Sequence, residues 1–110
     1  MDTRLRPCPA SIGSISWTNG IQEYVIGNRS GETEIKGLFR LFLDGCFGQV
    51  PESDWEMNMN TIREPSLGSR IMGVYKLSDN KVVWIITSGY GQQRYGAECC
   101  HTVIMFPSEY

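Results

Sequence analysis

Apolar positions along this chain first follow a helical period and later an alternating one. After a loosely alternating stretch at 12–17, Ile21, Tyr24 and Val25 show helical spacing, which Gly27 and Asn28 end. A longer apolar stripe with the i, i+3, i+4, i+7 pattern follows Ser30, which is a good capping residue. Its members are Ile35, Leu38, Phe39, Phe42 and Leu43. The pattern predicts one short strand and then two helices.

A third helix is predicted after the glycine-flanked turn at 45–48. Ser53-Asp54-Trp55-Glu56 has the form of a capping box, in which a serine hydroxyl and a glutamate satisfy the first free backbone N–H groups. Trp55, Met59 and Ile62 then line one face, and Pro65 and Gly68 end the helix.

The last third of the chain alternates with the period of two that is typical of strands. Residues 70–77 form one such segment, and residues 81–87 form another that is apolar on both faces, as in a central strand. Ser78-Asp79-Asn80 between them has turn composition. Residues 101–106 are the third strand, which Pro107 ends. The fold class predicted is α+β, with three short helices packed on a small antiparallel sheet and a C-terminal three-stranded meander.

Residues 1–10 are predicted to be a tail, because Pro7 and Pro9 disfavour regular pairing, and residues 11–110 to be a single domain. The longest apolar runs have the length of strands, so we expect no membrane association. The N-terminus has no apolar core of signal-peptide length. We therefore expect a cytoplasmic protein with reduced cysteines.

The net charge of the chain argues against two classes of function. Ten Lys and Arg against twelve Asp and Glu leave a net charge of −2. This negative net charge is too small for a protein that imitates a nucleic-acid duplex. The chain also lacks the basic excess of a nucleic-acid binder, so we expect no direct sequence-specific binding to nucleic acid.

The strongest chemical cluster is Cys99-Cys100-His101, because thiolates and imidazole are the ligands that zinc prefers. Cys46, in the glycine-flanked turn, is the expected fourth ligand of one structural zinc ion, with Cys8 in reserve. The spacing is not that of a zinc knuckle, and the alternative is that these cysteines are simply buried beside the sheet. A cysteine nucleophile is disfavoured, since neighbours on a strand rarely meet in catalytic geometry and the chain has one histidine.

Two segments have the composition of contact surfaces. The loop at 88–96 is rich in tyrosine, glutamine and arginine, side chains that can anchor interfaces; its candidate residues are Tyr90, Gln92, Gln93, Arg94 and Tyr95. A second, acidic segment surrounds the start of the third helix: Asp44, Glu52, Asp54 and Glu56. Capping and the helix dipole already explain Asp54 and Glu56, so a pair of catalytic carboxylates is disfavoured and no enzyme is expected.

From residue 11 to the end, the chain resembles small proteins of phages, plasmids and integrated elements. The matching segments are Thr18-Asn19-Gly20-Ile21, Gly45-Cys46-Phe47-Gly48, Asp54 with Asn58, Gly68-Ser69-Arg70-Ile71, Trp84-Ile85-Ile86-Thr87 and Pro107-Ser108-Glu109-Tyr110. The chain departs from that pattern at Cys46-Phe47, where Asp-Trp is usual, and at Ser88, where Glu is usual.

The resemblance implies a role for the chain as well as a family. Some small phage proteins of this general kind inhibit host defences by binding CRISPR effectors or restriction enzymes. The expected function is thus direct inhibition of a host defence complex, as an anti-CRISPR that blocks a Cas effector nuclease. The alternative is a structural or regulatory phage accessory protein with a small zinc site and no defence target.

Overall fold

The computed structural model describes residues 6–8, 11–64, 70–90 and 100–110. In these ranges the chain forms three α-helices, one mixed four-stranded sheet and a short 3-10 helix at Pro107–Glu109. The elements follow in the order β1 (Ser14–Trp17), α1 (Asn19–Gly27), α2 (Gly31–Leu43), α3 (Glu52–Arg63), β2 (Arg70–Lys76), β3 (Val82–Ser88) and β4 (His101–Met105). The α+β class predicted from the sequence is confirmed.

The sheet has the strand order β1-β4-β3-β2. The predicted hairpin is present, with β2 antiparallel to β3 and β4 antiparallel to β3 on its other side. The sheet is nevertheless mixed, because β1 pairs in parallel with β4. Parallel pairing requires a long crossover connection, and the three helices with β2 and β3 supply it. The expectation of a purely antiparallel sheet is wrong in that one pairing.

The core lies between one face of the sheet and the helices. Ile71, Tyr75, Val83, Ile85 and Ile104 face it from the strands, and Ile21, Ile35 and Phe42 face it from α1 and α2. Burying one such side chain fully contributes about 1.5–3 kcal/mol. Aromatic rings continue the core toward α3, since Phe47 meets Phe42 at a centroid distance of 5.9 Å and Trp55 at 5.4 Å.

Helix α3 begins earlier than its capping sequence predicts. The helix starts at Glu52 with Pro51 as N-cap residue, and no side chain caps it. Pro51 has a φ of −58°, and its carbonyl accepts the Trp55 N–H at 2.9 Å. A proline with this fixed φ is already suited to a helix start. Ser53 is therefore inside the first turn, and the predicted capping box is wrong.

The outer edge of β2 is closed by two short contacts rather than by another strand. The Asn58 side-chain amide donates to the Met72 carbonyl at 2.8 Å, and its oxygen accepts the Met72 N–H at 3.1 Å. Two residues further, Val74 exchanges backbone hydrogen bonds with Phe47 and Gln49. An unpaired edge invites pairing with another chain, so these contacts protect the sheet.

In the part of the chain that the structure describes, every helix falls short of the length and apolar character that a bilayer crossing requires.

Candidate functional site

Four exposed carboxylates stand between the end of α2 and the second turn of α3, and we call them the acidic surface: Asp44, Glu52, Asp54 and Glu56. Glu52 and Asp54 stand in the first turn of the helix, where they complement its dipole. The ion pairs formed among the described residues join Lys36 to Glu32 and Lys81 to Asp79, and neither involves this surface. Its negative charge therefore faces solvent without a partner in the described chain.

The inner side of α3 is firmly held, which fixes the position of the acidic surface. Trp55 packs edge-on against Phe47 with an interplanar angle of 69°. One turn later Asn58, with an exposed fraction of 3 %, bonds to the backbone of β2. A preorganised surface loses little conformational entropy when a partner binds. Met57 is 64 % exposed on the same helix and adds an apolar group to the acidic ones.

The tyrosine of the predicted contact loop faces inward. Tyr90 has an exposed fraction of 3 % and belongs to the core cluster. Its hydroxyl accepts the Cys8 N–H at 2.8 Å, and burial raises its pKa. Tyr90 is thus a packing residue rather than an exposed anchor. The other candidates, Gln92, Gln93, Arg94 and Tyr95, lie outside the described residues.

The predicted zinc ligands are only partly brought together. Cys100 is buried and its neighbour His101 is exposed. Cys46 lies beside β2, where its carbonyl accepts the Tyr75 hydroxyl at 2.7 Å. Cys100 instead lies against Gly13, which leads into β1 at the opposite edge of the sheet.

No group of three or more His, Cys, Asp and Glu side chains that could hold a metal ion is present within the described ranges. Cys99, the first residue of the predicted cluster, lies outside the described ranges. Cys8 is exposed and has a free thiol. The structure therefore does not join Cys46 to Cys100 and His101, and the zinc ion stays a prediction.

Glu109 forms a polar cluster that sequence reasoning missed. Its carboxylate accepts hydrogen bonds from the Thr18 hydroxyl at 2.6 Å, the Gly20 N–H at 2.9 Å and the Phe106 N–H at 3.1 Å. The bond from Thr18, followed by those from the two backbone N–H groups, lowers the pKa of Glu109. The carboxylate caps α1 from a position 89 residues away in the chain. The local signal for it in the sequence is a carboxylate two residues after Pro107.

Comparisons of this chain with protein-family models, with curated proteins and with solved structures give no match.

Proposed function

We propose that this protein is a non-enzymatic inhibitor, carried by a phage or another mobile element, that binds a host defence complex directly. The proposed target is a Cas effector nuclease, which would make the protein an anti-CRISPR. The observation that carries the proposal is the acidic surface, in which α3, a helix anchored on its inner side, displays three exposed carboxylates and the end of α2 adds a fourth, Asp44.

The chemistry of this surface suits that kind of target. Effectors of the Cas9 type hold nucleic acid in a positively charged channel, which a local cluster of carboxylates complements. Opposite charges raise the rate of association, most strongly at low salt. Because the net charge of the whole chain is only −2, the acidic surface would act locally. Binding at the channel would block nucleic-acid loading or a conformational step, at one inhibitor per effector.

A charge-reversal experiment tests the proposal. The protein is titrated into a Cas nuclease cleavage assay as wild type and as the double variant Asp54→Lys/Glu56→Lys. Inhibition is expected to saturate near equal stoichiometry, and the variant is expected to bind about tenfold more weakly or worse, because two attractive contacts become repulsive. Raising the salt concentration should reduce the difference in affinity between the wild type and the double variant.

The matched control is Glu23→Lys/Glu32→Lys. Both control positions are exposed, on α1 and α2, and Glu32 stands in a first helical turn as Asp54 does. This pair changes the net charge equally and should leave inhibition unchanged. Substoichiometric, progressive loss of nuclease activity would point to an enzyme. Absence of binding to all of the host's defence complexes would leave the accessory phage protein as the better interpretation.

A further inference from the structure

The sheet has a second face, turned away from the core, which we call the outer face. Strand alternation and register place its residues in cross-strand rows. The first row crosses all four strands and is polar: Ser14, His101, Ser88 and Arg70. The next two rows are mainly apolar: Ser16, Val103, Ile86 and Met72, and then Met105, Trp84 and Val74. Val74 packs against the core cluster and Ile86 is buried, whereas Met72, Trp84, Val103 and Met105 are partly exposed.

Two aromatic rings meet on this face. Tyr110 packs edge-on against Trp84 with centroids 5.7 Å apart. The Tyr110 side chain is 74 % exposed, and its hydroxyl oxygen is 3.4 Å from Nη1 of Arg70. Tyr110 therefore reaches from the third row to the first and presents an aromatic ring beside a guanidinium group.

The charges of the outer face have one sign. Arg70 and Lys76 are exposed and stand six positions apart on β2, about 20 Å, so they flank the apolar rows at both ends. No Asp or Glu is present among the described strand residues of this face. A second copy of the chain would bring these cations toward each other, whereas an anionic partner would be attracted.

We propose that the outer face binds single-stranded RNA with little sequence preference. Bases would stack on Tyr110 and Trp84, because every base offers a π-face to an aromatic side chain. Arg70 and Lys76 would contact phosphates. The Ser14 and Ser88 hydroxyls supply hydrogen-bonding groups in the polar row, where a ribose 2′-hydroxyl can be recognised. This site is separate from the acidic surface and does not rest on the proposed inhibition.

Fluorescence anisotropy of labelled oligouridine of about ten nucleotides, with the full chain alone at low salt, tests the proposal. Tyr110→Ala should weaken binding about fivefold or more, as expected for the loss of one base–aromatic stack. Arg70→Gln should weaken binding and reduce the slope of log K against log salt by about 0.7, the value for one phosphate contact on a single strand. Both side chains are exposed, so neither variant is expected to unfold the protein.

Arg29→Gln is the matched control, since this arginine is exposed in the turn between α1 and α2 and does not belong to a strand. The control should bind as the wild type does, and oligothymidine of equal length should bind more weakly than oligouridine. The proposal is overturned by absence of binding to oligouridine, by equal losses in Arg29→Gln and Arg70→Gln, or by oligothymidine binding as tightly as oligouridine. Light scattering that shows a dimer which Tyr110→Ala dissociates would assign the outer face to a second copy instead.

Discussion

At the scale of single residues, two glycines illustrate how one residue type has opposite roles. Gly13 has a φ of +69°, and a Cβ placed there would lie 2.1 Å from the Cys100 carbonyl oxygen. Gly37 is in the middle of α2, and a Cβ there would meet nothing within 4 Å. The first glycine allows β1 to approach β4, while the second leaves the helix less stable than alanine would.

Gly13→Ala is expected to reduce the free energy of unfolding by at least about 2 kcal/mol, because a left-handed backbone and a steric overlap combine. Gly37→Ala is expected to increase it by about 0.5–1 kcal/mol. Urea denaturation of both variants beside the wild type measures the two effects. Equal effects of the two substitutions would contradict the close packing of Gly13 on Cys100.

Glu109→Gln tests the other residue-scale feature, the carboxylate that caps α1. Folding lowers the pKa of Glu109, so the ionised group stabilises the folded chain above its ordinary pKa. That contribution is lost as the pH falls through the lowered pKa. The wild-type melting temperature should exceed that of Glu109→Gln at neutral pH, and the difference should vanish in acid.

Glu23→Gln is the matched control for that titration, because Glu23 is exposed on α1 itself. A pH-independent difference between wild type and Glu109→Gln would show that the carboxylate charge is not what stabilises the contact.

At the scale of elements, helix α3 has two structural roles. It carries three of the four carboxylates of the acidic surface, and its inner side closes the edge of β2 through the two hydrogen bonds of Asn58. A strand edge has free backbone donors and acceptors at alternate residues, and one carboxamide can satisfy a donor and an acceptor together. The same residue therefore positions the helix and protects the sheet.

Asn58→Ala is expected to lower the free energy of unfolding by about 2 kcal/mol, since it leaves the partly buried N–H and carbonyl of Met72 unsatisfied. Asn60→Ala, at an exposed position on the same helix, should change it by less than about 0.5 kcal/mol. Chemical denaturation measures both. If Asn58→Ala were as mild as Asn60→Ala, α3 would not depend on this contact.

At the scale of the whole molecule, the two faces of the fold carry opposite charge. The acidic surface is formed by α3 and the end of α2, whereas Arg70 and Lys76 belong to the outer face of the sheet. The net charge of −2 therefore does not reveal that the acidic surface is negative and the outer face positive. We expect one surface to attract cationic partners and the other anionic ones.

The predicted zinc ion is also tested on the whole molecule, because structural zinc contributes to the stability of the entire fold. Elemental analysis of protein purified without a metal-affinity tag should give about one zinc per chain, as one four-ligand site requires. A chelator should then lower the melting temperature, and Cys99→Ser should abolish the metal content. A metal-free preparation of equal stability would refute the site.

The variant Cys46→Ser tests whether Cys46 is the fourth ligand of the predicted zinc ion. The structure places Cys46 beside β2 and Cys100 near β1, so loss of zinc in Cys46→Ser would require that the chain bring these edges together. Retention of zinc in this variant would assign the fourth position to another ligand, with Cys8 as the reserve.

The sequence by itself determined the helices, the strands of the meander and the turn between β2 and β3. These elements depend on the spacing of neighbouring side chains, such as the stripe from Ile35 to Phe42, and that spacing is local. The outward position of Asp54 and Glu56 followed for the same reason, because a helix with one apolar face presents its charges to solvent.

Only the tertiary structure decided the contacts between distant segments. The parallel pairing of β1 with β4, the capping of α1 by Glu109 and the edge contact of Asn58 join residues whose own neighbourhoods do not mark them as partners. The burial of Tyr90 is a further example, since a tyrosine in a glycine-rich segment is compatible with a surface position as well as with a core position. Whether its hydroxyl meets solvent or the Cys8 N–H depends on where the chain returns. Burial is a property of the packed chain, so local pattern cannot determine it.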